Sequence, residues 1–339
     1  MKQIFKITYP TGKIFIGQDS QERIDFFGNP DNTIVASDFA NLPQSTQHDY
    51  KIRKEVLWQT QDCSAKQLTA KQIEFITLYQ SDDPELGYNQ LSDSITRTDK
   101  GYRIGIDGCK AGWFYVAQLG IAPCEFGIVA TLAELFDIYE VIDEIIIDIP
   151  IGLYDKSNSP RPCDIEARRY LSPRGSTVFP APLRPCLIAS DYLEACAISK
   201  RLSGKSLSKQ AYNIFNKIHE VDSLLRSESQ FRQIVKEAHP ELGFCFLNNG
   251  KPLLSRKKDS EGLDERLCLL VEVLPFAKSA YTKALSSFPR KQLAKDDVVD
   301  ALMCLAISVA PEGDRRTLPV TADVDNFGID ICMHYAVSE

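Results

Sequence analysis

The chain has 339 residues, 44% of them hydrophobic, and a formal net charge of −7. That length accommodates two domains, and the apolar fraction is typical of a soluble globular protein. The acidic balance disfavours a protein that coats nucleic acid by bulk attraction, although it is compatible with an enzyme that uses metal ions or local basic groups. No apolar run reaches membrane-spanning length, and the first residues favour a strand over a signal peptide, so we expect a cytoplasmic protein.

Cysteine usage argues against zinc binding and thioredoxin-type chemistry. The chain has ten cysteines, and none lies in a Cys-x-x-Cys pair. Cys245, Cys268 and Cys304 stand inside apolar runs, where we expect buried, reduced thiols.

Residues 1–91 are predicted to form a small α+β domain. Apolar runs at residues 4–9 and 14–17 flank a Pro/Gly turn, which predicts a β-hairpin. A further strand is expected at residues 55–58, followed by a helix with Ser64 as its N-cap.

Residues 101–339 are predicted to form an α/β domain, joined to the first by a polar linker at residues 92–100. Short strands separated by turns and then by a helix indicate a mixed sheet covered by helices. Residues from about 160 to 230 favour helices and form a predicted insertion. The tail at residues 328–333 is expected to add an edge strand to the sheet.

Acidic residues stand at positions where the predicted fold brings elements together. Asp107 and Asp148 each follow a β-branched run, while Asp297 and Asp300 lie three residues apart on one helix face. Glu237 stands on the next strand-like run. Converging carboxylates repel one another unless a cation joins them, and carboxylate oxygens suit Mg²⁺ or Mn²⁺. The set therefore predicts a metal centre of the kind used in two-metal phosphoryl transfer.

Each of these acids also has an ordinary interpretation. A strand-end aspartate is usually a turn residue, and an aspartate near a helix start is usually an N-cap. That interpretation is weaker for Asp148 and Asp300, because both stand inside apolar runs where an unpaired charge is costly.

Basic residues near these acids are candidate substrate contacts. Arg161, Arg168 and Arg174 accompany a rigid Phe-Pro-Ala-Pro stretch, and arginine forks match phosphate oxygens. The alternative for the arginines is pairing with acids of the same segment. Lys257 lies in a short basic run and Lys209 near a predicted helix start, and either could instead be a solvated surface residue.

His239 follows Glu237 by two residues and is a candidate proton shuttle for a leaving oxygen. The alternative is a strand-end histidine that only donates or accepts a structural hydrogen bond.

The second domain resembles the ribonuclease-H-like family known as domain of unknown function 429. Short blocks carry the resemblance in chain order: Gly105–Trp113, Asp148–Leu153, Arg161–Arg168, Val178–Pro182, Glu237–Glu241, Gly262–Arg266 and Asp297–Ala301. The last block is also similar to the closing helix of resolvase-type nucleases. The resemblance implies a ribonuclease-H-like fold and nuclease activity. It also implies that Asp107, Asp148 and either Asp297 or Asp300 are metal ligands, with Glu237 as a weaker candidate.

The first domain resembles the start of the GIY-YIG nuclease fold. Its namesake triplets are Gln3-Ile4-Phe5 and Phe15-Ile16-Gly17, and Gly87-Tyr88-Asn89 matches a closing motif. Both motif tyrosines are replaced by phenylalanine, which has no hydroxyl to orient a water, and Gln72 stands where the family has a metal-binding glutamate. We therefore expect a degenerate, non-catalytic module for binding or assembly.

Three functions follow from these patterns. The first is a metal-dependent nuclease that hydrolyses phosphodiester bonds of DNA or RNA by a two-metal carboxylate mechanism. The second is a non-catalytic module that binds nucleic acid or protein on the same fold. The third is a nucleotide-phosphate enzyme of actin or sugar-kinase type, with Asp107 and Gly108 in a phosphate-binding hairpin, and it ranks last because the sequence shows no second copy of that hairpin.

Overall fold

The computed structural model describes residues 1–63, 65–89, 101–120 and 122–337. The chain forms two compact units, one of residues 1–99 and 119–123 and the other of residues 100–118 and 124–339. The predicted linker and the predicted cap at Ser64 lie outside the described residues. In the described ranges, no helix is both long and apolar enough to cross a membrane.

The first unit is a three-stranded antiparallel sheet with helices. Its elements are β1 (Lys2–Thr8), β2 (Ile14–Asp19), α1 (Asn32–Ala40), α2 (Gln44–His48), β3 (Arg53–Thr60) and α3 (Ala65–Tyr79). The strand order is β2-β1-β3, so the predicted hairpin is confirmed. Ile4 and Ile16 of the sheet pack against Leu68 and Ile76 of α3, which gives this unit its own core.

The second unit is built on a five-stranded mixed sheet. Its first elements are β4 (Tyr102–Cys109), β5 (Gly112–Gln118), β6 (Glu125–Val129), α4 (Glu134–Ile138), β7 (Ile142–Ile147), α5 (Pro162–Tyr170), α6 (Tyr192–Ser203), α7 (Lys209–Tyr212), α8 (Phe215–Ser227) and β8 (Val235–Glu237). The strand order is β6-β5-β4-β7-β8. Strand β5 is antiparallel to both neighbours, whereas β4, β7 and β8 are parallel. The predicted α/β class and the helical insertion are thus present.

The chain ends in four helices and a hairpin. These elements are α9 (Pro240–Leu247), α10 (Ser260–Val273), α11 (Ala277–Ser287), α12 (Lys295–Val309), β9 (Arg315–Val324) and β10 (Asp330–Ala336). The expectation that the tail extends the central sheet was wrong, because β10 pairs with β9 in a separate two-stranded sheet. An isolated bridge joins His334 of β10 to Ala238, the residue that follows β8.

Helices cover both faces of the central sheet. On one face Ile104 and Ile106 of β4 pack in a core with Leu135 of α4 and Ile218 of α8. On the other face Ile146 of β7 packs in a second core with α9, α10, α11 and α12. Because strand side chains alternate between faces, residues 105 and 107 of β4 point toward α12.

The cysteines are all free thiols. Cys245 and Cys304 are buried as expected, but Cys268 is exposed. The expectation for Cys268 was wrong because it lies on the solvent side of α10, beside residues that do face the core.

Gly105 allows α12 to lie directly on β4. A Cβ at this position would stand 2.3 Å from the carbonyl oxygen of Ala301 and 2.1 Å from the amide nitrogen of Leu305. Both are backbone atoms of α12, so no side chain can move aside to make room. The absence of a side chain at Gly105 therefore sets the distance between the strand that carries Asp107 and the helix that carries Asp300.

We predict that Gly105→Ala lowers the free energy of unfolding by about 3 kcal/mol or more, since overpacking against backbone has no cheap relief. Gly313→Ala is the matched control, because a Cβ there meets nothing within 4 Å. Urea unfolding of both variants checks the prediction. Equal stability of the two variants would contradict the tight contact between β4 and α12.

Candidate metal centre

Three carboxylates meet at one end of the central sheet. Asp107 comes from β4, Asp148 follows β7 directly, and Asp300 lies one turn into α12. One carboxylate oxygen of each lies within 4.8 Å of the others. The parallel pairing of β4 and β7 places Asp148 beside Asp107, with the Asp148 amide donating to the carbonyl oxygen of Ile106 at 3.1 Å.

The pKa values of all three carboxyl groups are raised. Burial and then the charges of Asp148 and Asp300 raise the pKa of Asp107 well above its ordinary value. Burial raises the pKa of Asp148 to about 6 and that of Asp300 to about 7, although Lys257 acts in the opposite direction on both. Ionising the three together is therefore unfavourable without additional positive charge.

The cluster fits a hard divalent cation. Its donors are all carboxylate oxygens, the type that Mg²⁺ and Mn²⁺ prefer. Asp300 is only 1% exposed, and its Oδ1 is buried without a hydrogen-bond partner among the described residues. A buried carboxylate oxygen with no donor is costly, and a bound cation would satisfy it.

Lys257 lies at the cluster and forms an ion pair with Asp300. Burial alone would lower the pKa of this lysine, but the charges of Asp300, Asp107 and Asp148 raise it above its ordinary value. The lysine is therefore charged at neutral pH.

Two arginines hold the loop that carries Lys257. Arg174 donates from Nη1 to the carbonyl oxygens of Leu253 at 2.8 Å and Ser255 at 2.6 Å. Arg266 is fully buried and donates to the carbonyl of Ser255 at 3.3 Å. Arg174 was predicted to contact substrate. The structure shows it lining the pocket beside the cluster and fixing the lysine loop, with part of its guanidinium engaged by backbone carbonyls.

The cluster opens into a pocket of about 310 Å³. Asp107, Asp148, Lys257 and His239 line it, together with Lys217 of α8. The pocket thus joins partly exposed carboxylates to two lysines, which is the combination needed to hold a metal ion and an anionic substrate together.

Lys217 was not among the residues singled out from the sequence. Its ammonium group donates to the carbonyl of Gly112 and lies 4.0 Å from the centre of the Trp113 ring. A Cβ at Gly108 would lie 2.8 Å from Cδ of this lysine, so the glycine lets the side chain pass over the strand end. Burial lowers the pKa of Lys217. The sequence did contain a signal for Lys217. The residue lies in the apolar stripe that runs from Ile214 along α8, where an ordinary solvated lysine is not expected.

Of the two helix acids, Asp300 joins the cluster and Asp297 does not. Asp297 accepts a hydrogen bond from the amide of Ala294 at 2.9 Å, the capping interaction weighed as its ordinary role. Its charge still acts on Asp107, whose pKa it helps to raise. Of these two acids, the geometry therefore favours Asp300 as the candidate metal ligand.

Glu237 and Arg161 form a buried ion-paired group of their own. Arg161 is 3% exposed and donates to both carboxylate oxygens of Glu237, at 2.7 and 2.8 Å, and to Asp164 at 2.7 Å. Glu237 also accepts the amide of Ile151 at 2.6 Å. Both residues line the pocket of the cluster. Their ion pair competes with a substrate phosphate for Arg161 and with a metal ion for Glu237, because separating the two would leave a buried charge unpaired.

The remaining predicted residues differ in their relation to the pocket. His239 lines it, and its Nδ1 is buried without a hydrogen-bond partner among the described residues. Burial lowers the pKa of His239, so the ring is neutral at pH 7.

Two of the predicted basic residues lie outside the pocket. Arg168 donates to the carbonyl of Val178 at 2.6 Å and does not line the pocket. Lys209 is exposed outside the pocket, whereas its neighbour Gln210 lines it.

The first unit has its own pocket of about 400 Å³, lined in part by Phe15, Gln72 and Asn89. Gln72 donates to the carbonyl of Ile16 at 2.9 Å, and Asn89 accepts from the amide of Ile16 at 2.8 Å. Phe5 is fully buried. Two of the polar groups at this pocket are therefore amides that hold β2, and Asp31, Thr69 and Tyr88 also line it.

The fold and the pocket define a mixed α/β protein with an acidic cluster at the carboxyl ends of its central parallel strands. Residues 105–323 match the family described as protein of unknown function (DUF429), and the chain belongs to that family, as its ordered blocks predicted. No curated protein and no solved structure matches the chain.

Proposed function

We propose that the second unit is a metal-dependent phosphodiesterase that hydrolyses nucleic acid, with Asp107, Asp148 and Asp300 holding Mg²⁺ or Mn²⁺. The observation that carries the proposal is the convergence of these carboxylates at an open pocket, with one buried oxygen of Asp300 left without a donor. A bound divalent ion supplies a water of lowered pKa and neutralises charge on the phosphate.

The residues around the cluster have separate roles in this proposal. Lys257 is charged and lies beside Asp300, so it is placed to bind a non-bridging oxygen of the phosphate. Lys217 lies at the Asp107 side of the same pocket and adds a second positive group. His239 is neutral at pH 7 with an unpartnered Nδ1, so it is placed to accept or give a proton at a phosphate oxygen.

The strand order supports the finer assignment to a ribonuclease-H-like fold. In chain order the sheet reads third, second, first, fourth, fifth strand, with only the second strand antiparallel to its neighbours. We propose that assignment on the strand order and on the sequence blocks together. For the first unit we propose a degenerate GIY-YIG-like module that binds without catalysis, because Phe5, Phe15 and Gln72 supply neither a hydroxyl nor a carboxylate.

A cleavage assay tests the proposed function. Single- and double-stranded DNA and RNA are incubated with Mg²⁺ or Mn²⁺ and either the unsubstituted protein or Asp107→Asn. We expect cleavage by the unsubstituted protein. In the variant the cleavage rate should fall by about 10²–10³-fold, which is the usual effect of removing one charged contact to a transition state. Asp264→Asn, an exposed change on α10, is the matched control.

Two outcomes would count against the proposal. Cleavage that persists in Asp107→Asn would remove the acidic cluster from the reaction. No cleavage of any substrate with either metal would favour a non-catalytic module, in which the ion pair of Lys257 with Asp300 only stabilises the fold.

A further inference from the structure

A different pocket of the second unit lies where β8 meets the β9–β10 hairpin. It has a volume of about 390 Å³, and its lining includes Lys236, Arg315, Arg316, His334 and Tyr335, together with one acidic residue, Glu312. We call it the basic pocket. The chain has a net charge of −7, so a local cluster of basic side chains is unexpected and suggests an anionic ligand.

One buried carboxylate holds most of these cations in place. Glu144 of β7 is 3% exposed and bonds Lys236 at 2.7 Å and Arg315 at 2.5 Å. Arg103 approaches the same carboxylate at 3.7 Å. Three basic side chains line the pocket, Lys236, Arg315 and Arg316, against one acidic lining residue, Glu312, and the buried Glu144, so a surplus of positive charge remains.

In the part of the chain that the structure describes, both arginines keep N–H groups without a protein acceptor. Within that part, Arg315 donates to Glu144 through Nη2 alone, and Arg316 donates only from Nη1, to the carbonyls of Gly313 and Arg315. Their other guanidinium N–H groups have no acceptor among the described residues. Guanidinium donors are strongly hydrated or bound to anions, and two adjacent forks match the oxygens of a phosphate.

The rest of the pocket has room for more than a phosphate. Tyr335 forms part of the wall and is stacked on Phe246 with ring centres 4.0 Å apart. Burial lowers the pKa of His334 to about 4, so this ring is a neutral hydrogen-bonding group. A volume of about 390 Å³ is in the range of pockets that bind whole small molecules.

The basic pocket is separate from the acidic cluster. Ser308, which donates to Glu144 at 3.0 Å, lies near the end of α12, whereas Asp300 lies near its start. Eight residues of helix span roughly 12 Å along the axis. The two sites therefore lie toward opposite ends of the same helix.

We propose that the basic pocket binds a phosphate monoester, carried either by a free nucleotide or by the phosphorylated end of an oligonucleotide. Arg315, Arg316 and Lys236 bind the phosphate, and the wall at Tyr335 and His334 contacts the attached nucleoside. The site is independent of the proposed hydrolysis, because it uses no metal and none of the clustered aspartates.

Titration calorimetry in EDTA tests this site without involving the metal centre. The probes are inorganic phosphate, adenosine monophosphate, and one oligonucleotide with either a 5′-phosphate or a 5′-hydroxyl. We expect the unsubstituted protein to bind the phosphorylated probes and Arg316→Gln to bind them about tenfold more weakly. This arginine is exposed, and among the described residues it bonds only backbone carbonyls, so its replacement leaves no buried acid there unpaired. Arg201→Gln, an exposed change on α6, should bind as the unsubstituted protein does.

A second pair of variants tests the charge of the pocket directly. Val320 lines the pocket and is 90% exposed, so it tolerates polar replacements. Val320→Glu should weaken binding of phosphorylated probes several-fold, and Val320→Gln should not.

The comparison of probes identifies the source of the phosphate. Tighter binding of the nucleotide than of the phosphorylated oligonucleotide supports a free nucleotide, and the reverse supports a nucleic-acid end. No binding of any phosphorylated probe at millimolar concentration would overturn the proposal. So would equal binding of the 5′-phosphate and 5′-hydroxyl oligonucleotides, or equal binding by Arg316→Gln and Arg201→Gln.

Discussion

At pH 8 and without divalent ions, the Asp148→Asn variant is expected to be more stable than the unsubstituted protein, by about 3 kcal/mol. Burial is the main reason that the pKa of Asp148 is raised to about 6 in the fold. In the unfolded chain the group titrates near its ordinary value of 3.8, so between these pH values the folded protein binds more protons than the unfolded one. The free energy of unfolding therefore falls as the pH rises through this window, and each unit of pKa is worth about 1.4 kcal/mol. An asparagine carries no charge and avoids this loss.

Two measurements distinguish this explanation from a simple packing change: the pH dependence of the stability difference, and the stabilisation by added metal. Near pH 3 the two proteins should differ little, because there the carboxyl group is mostly protonated in both the folded and the unfolded state of the unsubstituted chain. Added Mn²⁺ should stabilise the unsubstituted protein at pH 8 far more than at pH 5, since metal and protons compete for the same oxygens. In Asp148→Asn that stabilisation should be largely lost, and in Asp264→Asn it should be kept.

Urea unfolding at pH 5 and pH 8, with and without Mn²⁺, measures these differences. A stability gain in Asp148→Asn that does not depend on pH would contradict the account in which burial raises the pKa of this carboxyl group. Equal stabilisation by Mn²⁺ in Asp148→Asn and Asp264→Asn would contradict the role of Asp148 as a ligand.

Replacing Lys257 by methionine is expected to have opposite effects on metal binding and on cleavage. The lysine neutralises Asp300 in the absence of metal, and its positive charge opposes an incoming divalent ion. Without it, Mn²⁺ should bind about tenfold more tightly, which corresponds to about 1.4 kcal/mol. Cleavage should nevertheless fall by about 10²-fold or more, because the phosphate loses a charged partner.

Lys258→Met is the matched control, because Lys258 is adjacent in the chain and exposed. Manganese titration followed by electron paramagnetic resonance gives the affinity, and the nucleic-acid assay gives the rate. If Lys257→Met binds Mn²⁺ no more tightly than Lys258→Met does, the lysine does not compete for the site. If it binds more tightly and also cleaves at the unsubstituted rate, the lysine is not a phosphate contact.

Local pattern was sufficient to predict the strands that carry Asp107 and Asp148. Both acids end β-branched runs, and parallel neighbouring strands bring such ends together. Asp300 stood out because it interrupts an apolar helix face. These residues are conspicuous in sequence because an isolated charge is costly in an apolar run.

Partners that are distant in the chain were not predictable in the same way. Arg161 and Glu237 are 76 residues apart, and only the folded chain shows that they neutralise each other. The loop that brings Lys257 to Asp300 is fixed by backbone carbonyls bonded to Arg174, a contact that no spacing rule describes. Strand β9 was missed because Pro319 interrupts it and most of its residues are at least partly exposed, so it shows no alternating apolar pattern.

The most direct test of the central claim is diffraction from crystals equilibrated with Mn²⁺, measured with anomalous scattering at the manganese edge. We expect an anomalous peak coordinated by oxygens of Asp107, Asp148 and Asp300, with the ammonium group of Lys257 displaced from Asp300. Saturating Mn²⁺ that leaves no peak among these carboxylates, with Lys257 still paired to Asp300, would contradict the claim that the cluster is a metal centre.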